Sequence, residues 1–197
     1  MTQGASDRVR PARAGGSSDP WAVSPRTIGG VGTSLVDLGG QGFWARDPLV
    51  EALLGLLVVE LEPEVASHPW LDPVLDWWTV QAIGGFGGCI SPDLDRQLDR
   101  PDRVALVAGA ARRIPPRLAG LEVVTVTDPL FARRAARLWE SGAWNRPQCL
   151  APWLGRVADT FVELLDGNLH APIRWALFVY EDRTAFLDAP PEAERTG

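Results

Sequence analysis

Residues 47–62, Asp-Pro-Leu-Val-Glu-Ala-Leu-Leu-Gly-Leu-Leu-Val-Val-Glu-Leu-Glu, open with an acceptor and a proline and stop before Pro63. Aspartate accepts hydrogen bonds from the free amides of a first helical turn, and proline suits the first helical position. The stretch reads as a helix over 48–62. At 100° per residue, Glu51, Gly55, Val58 and Glu62 share one narrow face, and nearly every other position is aliphatic. So wide an apolar arc needs cover on more than one side. Such a helix is either central to a bundle or half of a homodimer interface.

The same Asp-Pro-apolar-apolar device recurs at Asp72–Leu75 and Asp128–Phe131. Ser91–Pro92, Pro101 and Pro152 give related starts. Stops stand at Gly84–Gly85, Pro115–Pro116, Gly142 and Gly167–Asn168. The helices expected are 48–62, 73–83, 92–99, 101–114, 129–141 and 151–166. Leu121–Val126 and Ile173–Tyr180, rich in β-branched or aromatic residues, read as two short strands that pair with each other. The expected fold is mainly α: a compact bundle of about six helices with a minor two-stranded β element. Residues 1–27 lack periodicity and read as a disordered tail. Residues 28–42 read as a Gly-rich, irregular lead-in, 43–187 as a single helical domain, and 188–197 as a polar tail.

Composition removes whole classes of chemistry. The 197 residues are 46% hydrophobic and 22% charged, as in globular domains. All 19 basic residues are arginine. Without lysine there is no Walker A lysine, kinase strand lysine or Schiff base. His68, Cys89, Cys149 and His170 stand singly, without CxxC or HExxH spacing, so no metal and no cofactor is expected. The net charge of −6 argues against nucleic acid. There is no apolar run of membrane-spanning length and no secretory h-region, so neither membrane insertion nor export is expected. A cytoplasmic protein with reduced thiols is the expectation.

Gly84-Gly85-Phe86-Gly87-Gly88-Cys89 is the sharpest local oddity. A thiol between a glycine loop and a helix start at Ser91–Pro92 would gain from helical amides. Cys89 would then be a nucleophile or redox thiol with His68 or His170 as its base. The bland alternative is a glycine turn with a small buried cysteine.

Phe43-Trp44, Asp47 before the Leu-rich helix, a Trp-bearing second helix, the 84–89 loop and Phe161–Gly167 together resemble an uncharacterised bacterial helical family. Its pattern runs Gly-Phe-Trp, Asp, a Leu-rich helix, then Gly-Phe-x-Gly-Cys. The resemblance spans about residues 42–167 and implies a helical domain, with no catalytic residues to carry over. It departs at Ile83–Gly84, where the family carries a basic residue.

Nine tryptophans are several times ordinary usage. Trp44, Trp77, Trp78 and Phe86 are candidate walls of a pocket, although indoles more often fill cores. Arg112, Arg113, Arg117, Arg133, Arg134 and Arg137 form two clusters. Arg113 and Arg134 would hold a ligand anion if the clusters converged. Asp159, Glu163 and Asp166 share a helical face and read as a solvated acidic surface.

The leading functional expectation is a soluble helical binding or accessory protein. It would engage a small apolar molecule or a protein partner through a Trp-rich cavity or a helical face. The rival is a cofactor-free isomerase, cyclase or hydrolase of an apolar metabolite, using Cys89, a histidine and the arginines. An immunity-type or regulatory protein is the third reading.

Overall fold

The computed structural model describes residues 32–84, 86, 88–139, 144, 146–172, 177–180 and 183–186. The expected tails at 1–27 and 188–197 lie outside these residues, as does Gly142. Two strands, β1 (Thr33–Leu38) and β2 (Gln41–Arg46), lead directly into helix α1 (Asp47–Leu61). Then come α2 (Leu71–Ile83), a single turn α3 (Leu94–Gln97), α4 (Pro101–Ala111) and α5 (Ile114–Leu118). Strand β3 (Val123–Thr125), α6 (Pro129–Leu138), β4 (Gln148–Leu150), α7 (Ala151–Leu165), β5 (Leu177–Tyr180) and β6 (Arg183–Phe186) complete the chain. The fold is mainly α, as expected.

Helix α1 is the centre of the bundle. It packs against α2, α4, α6, α7 and both β2 and β4. Leu54, Leu57, Val58 and Leu61 are buried on one side of the helix, and Leu49, Ala52 and Val59 are buried on the other. Of the two settings for an all-round apolar helix, the central one holds: this surface is covered within one chain. Each buried Leu or Val contributes about 1.5–3 kcal/mol, so α1 is a principal source of stability.

The β content departs from expectation. Thr33–Leu38, inside the stretch read as an irregular lead-in, is β1, paired antiparallel with β2 in the register Val36↔Phe43. Gly39 and Gly40 make a two-residue turn with φ of +60° and +78°, the glycine-dependent conformation that matches strand twist. Ser34, Val36, Phe43 and Ala45 face inward. The sheet order is β1-β2-β5-β6, with β2 and β5 parallel. The two expected strands therefore do not pair with each other: β5 joins β2 and β6, while β3 pairs with β4.

Three helices also change. The predicted helix 129–141 ends at Leu138, after which Trp139 is extended. The predicted helix 101–114 ends at Ala111, and Ile114-Pro115-Pro116 starts α5, because proline fits a first turn as well as it ends a preceding one. The predicted helix 92–99 shrinks to four residues, since Asp93 adopts a left-handed φ of +54° before it.

Candidate functional site

The glycine loop is fastened at the start of α1. Asp47 is buried. Its carboxylate accepts the Ser34 hydroxyl at 2.7 Å and the Gly88 amide, and Ser34 Oγ accepts the Ile90 amide at 3.0 Å. A Cβ at Gly32 would come within 2.1 Å of both Asp47 Oδ2 and the Gly88 nitrogen, so the chain passes here only as glycine. The next segment is pinned to α2. Trp77 Nε1 donates to Ser91 O and Trp78 Nε1 to Pro92 O, each at 2.9 Å, and Gln81 Oε1 accepts the Ser91 amide at 2.8 Å.

These bonds fix what Cys89 can do. Its thiol is exposed. The helix expected immediately after it does not form: α3 starts only at Leu94, and the Ser91 and Pro92 carbonyls are taken by indoles. Neither histidine is near. Cys89 adjoins the start of α1 and His68 follows its end, so the 15 residues of α1 separate them by about 20 Å. His170 is exposed and sits by the bridge of Gln41 to Pro172, at the far end of β2. Six strand residues, again about 20 Å, lie between. The three residues are not brought together. The second thiol, Cys149, is pushed up to about 12 by burial.

The arginine clusters do not converge either. Arg113 donates from Nε to Glu60 at 2.6 Å, and Arg117 joins the same carboxylate. Burial alone would raise Glu60, but the hydrogen bonds and charges of the two arginines bring it down. Arg134, with only 4% of its side chain exposed, reaches Glu62 at 2.9 Å, Asp72 at 2.8 Å and Asp76. Burial opposes its charge, yet these carboxylates raise its pKa. Both guanidiniums are clamps between elements: Arg113 ties α4–α5 to α1, and Arg134 ties α6 to α2.

The described tryptophans are likewise spread through the fold. Trp78 is fully buried, and Trp77 and Phe86 are exposed. Trp44 is half-buried on β2 opposite Leu35. Trp70 lies under Arg103, whose guanidinium carbon is 4.6 Å from the ring centre. Trp144 meets Phe131 edge-on at 5.7 Å. Trp21 and Trp175 lie outside the described residues.

A concavity does exist, elsewhere. A groove of about 690 Å³ runs between α4, the C-terminal end of α7 and the β1–β2 turn. Leu38, Leu98, Val104, Ala108, Leu164 and Leu165 line it, together with Gln41, Asp99, Arg100, Arg112 and Asp166. No described tryptophan does. Its size falls within that of small-molecule sites. Comparison with protein-family models, curated proteins and solved structures finds no match. The groove therefore stands on its own geometry.

One further group escaped the sequence reading. Glu51, one helical turn after Asp47, is half-buried and makes no hydrogen bond or ion pair among the described residues. Burial first, and the Asp47 charge second, push its carboxyl from 4.5 up to about 7. The i, i+4 spacing of the two acids at the start of a helix that is otherwise apolar up to Glu60 was the available signal. Among the described residues no helix is long and apolar enough to cross a membrane.

Proposed function

We propose that the protein binds a small, largely apolar molecule in the groove between α4, α7 and the β1–β2 turn. The observation that carries this reading is the aliphatic lining of a 690 Å³ concavity. The apolar surface of α1, by contrast, is covered by its own chain. Aliphatic walls supply affinity by removing ligand surface from water, at about 25 cal/mol per Å². The few polar groups at the margin set orientation. This keeps the expectation of a binding protein and moves its site from the tryptophans to α4 and α7.

The test uses the neutral fluorophore Nile red with the full chain. Ala105 is exposed on α4 in the groove wall, so Ala105→Phe fills the space at little cost to folding. Saturable fluorescence enhancement that this variant abolishes supports the reading. Enhancement unchanged in the variant, or none in the wild type, contradicts it.

A second reading, a cofactor-free enzyme, is favoured by Glu51. A carboxyl near 7 holds or releases a proton at working pH, the property a general acid or base needs. In this reading Glu51 takes the part first assigned to Cys89 and a histidine. Any activity found should then vanish in Glu51→Gln and persist in Cys89→Ala.

A further inference from the structure

We infer that the groove selects an uncharged molecule bearing a hydrogen-bond donor on an apolar skeleton, and that Gln41 is the residue that reads the donor. The inference rests on the groove being a binding site.

The charges of the wall argue for an uncharged guest. Two acids and two arginines contribute to it, Asp99, Asp166, Arg100 and Arg112. Each already has a counter-ion. Arg112 pairs with Asp166 across α4 and α7, Arg100 with Asp102 at 3.0 Å, and Asp99 with Arg103 at 2.8 Å. These pairs are largely exposed and each is worth little, but none leaves a spare charge on the wall to offset the water that an ionised guest sheds. A neutral molecule meets no such cost.

The demand for a donor comes from one atom. Gln41 Oε1 is buried and has no hydrogen-bond partner among the described residues. The other such atom among the described residues, Arg103 Nε, belongs to a side chain outside the groove wall. A buried carbonyl oxygen without a donor has lost its water and gained nothing in return. The Gln41 backbone is held by its pairing with Leu38 and its bridge to Pro172. Gln41 also lines the groove, and a turn of its side chain is the motion that would bring this oxygen to a guest without moving the strand. A guest hydroxyl or amide N–H at the β1–β2 end satisfies it, while the guest's apolar body lies along Val104, Ala108 and Leu164.

The test is a matched series titrated into the full chain by calorimetry: 1-octanol, its donor-free isostere 1-methoxyheptane, and octanoate. The wild type is expected to bind the alcohol about ten-fold more tightly than the ether, and octanoate more weakly than the alcohol. Gln41→Leu is expected to erase the alcohol–ether difference while keeping ether binding. Equal binding of alcohol and ether by the wild type overturns the inference and leaves the groove standing. So does a preference that survives Gln41→Leu, or tighter binding of octanoate. These wild-type comparisons decide the matter even if the variant fails to fold. Binding of none of the three, or binding unaffected by Ala105→Phe, removes the groove reading and this inference with it.

Discussion

Ser34 Oγ donates to Asp47 Oδ1 at 2.7 Å across the junction of β1 and α1. Through Ser34 and Asp47 the glycine loop is bound to the sheet and to the central helix at once. Asp47→Ala would leave the Ser34 hydroxyl and the Gly88 amide without their acceptor. The expected loss is about 2–4 kcal/mol in denaturant unfolding, with faster amide exchange at Gly88 and Ile90 than along α4. A loss below about 0.5 kcal/mol, the range of ordinary surface changes, would show that the junction is not held by this carboxylate.

Arg134 binds three carboxylates from a position with 4% of its side chain exposed. Removing it takes this partner from Glu62 and, among the described residues, leaves Asp72 and Asp76 to Arg137 alone. Arg134→Ala is expected to cost about 3–5 kcal/mol, measured by chemical denaturation. Arg113→Ala removes one of two arginines from Glu60 at an exposed site and should cost about 1 kcal/mol or less. Equal effects would mean that burial does not set the weight of these clamps.

Much of this was legible from residues 47–62, whose apolar character demanded cover on more than one side, at the centre of a bundle or at a dimer interface. The three Asp-Pro pairs marked the helix starts well, but only Asp128 uses its carboxylate as a cap, accepting the Leu130 amide at 2.8 Å. Asp47 and Asp72 spend theirs on Ser34, Gly88 and Arg134 instead, which no local pattern discloses. The β1–β2 hairpin was readable in principle: Leu38-Gly39-Gly40-Gln41 is a two-glycine turn between alternating segments. The density of glycine over residues 28–42 hides that alternation. The groove was not legible, because its walls come from residues far apart in sequence, such as Leu38, Val104 and Leu164. Abundant tryptophan pointed away from it. Those indoles act as core fillers and staples, as the bonds from Trp77 and Trp78 to consecutive carbonyls show.

Glu51 gives stability a pH dependence of definite sign. Its folded pKa is about 7 against 4.5 for the free group. Between these values the folded protein keeps a proton that the unfolded chain has released. Its contribution to stability therefore falls as pH rises from 4.5 to about 7 and stays lost above it, while Glu60, held down by its arginines, acts in the opposite sense at lower pH. Asp37, raised by burial and by Asp95 and Asp93, acts in the same direction as Glu51. Glu51→Gln should flatten the decline. Discounted for its partial exposure to solvent, the gain at pH 8 is about 1–2 kcal/mol. Unfolding curves at pH 5 and pH 8 for both proteins check this, and an unchanged slope in the variant would assign the dependence to other groups.

The two thiols should separate cleanly under labelling. Cys89 is exposed, whereas burial raises Cys149 to about 12. Iodoacetamide at pH 7.5 is expected to modify Cys89 alone in the native state and both thiols in denaturant. Native modification of Cys149 at a comparable rate would mean that β4 opens readily.

Amide chemical-shift mapping of the full chain with 1-octanol tests the groove most directly. The perturbed amides should fall together on Leu38–Gln41, Val104–Ala108 and Leu164–Gly167. Shifts concentrated instead around Trp77, Trp78 and Phe86, or scattered without a focus, would contradict a ligand site between α4, α7 and the β1–β2 turn.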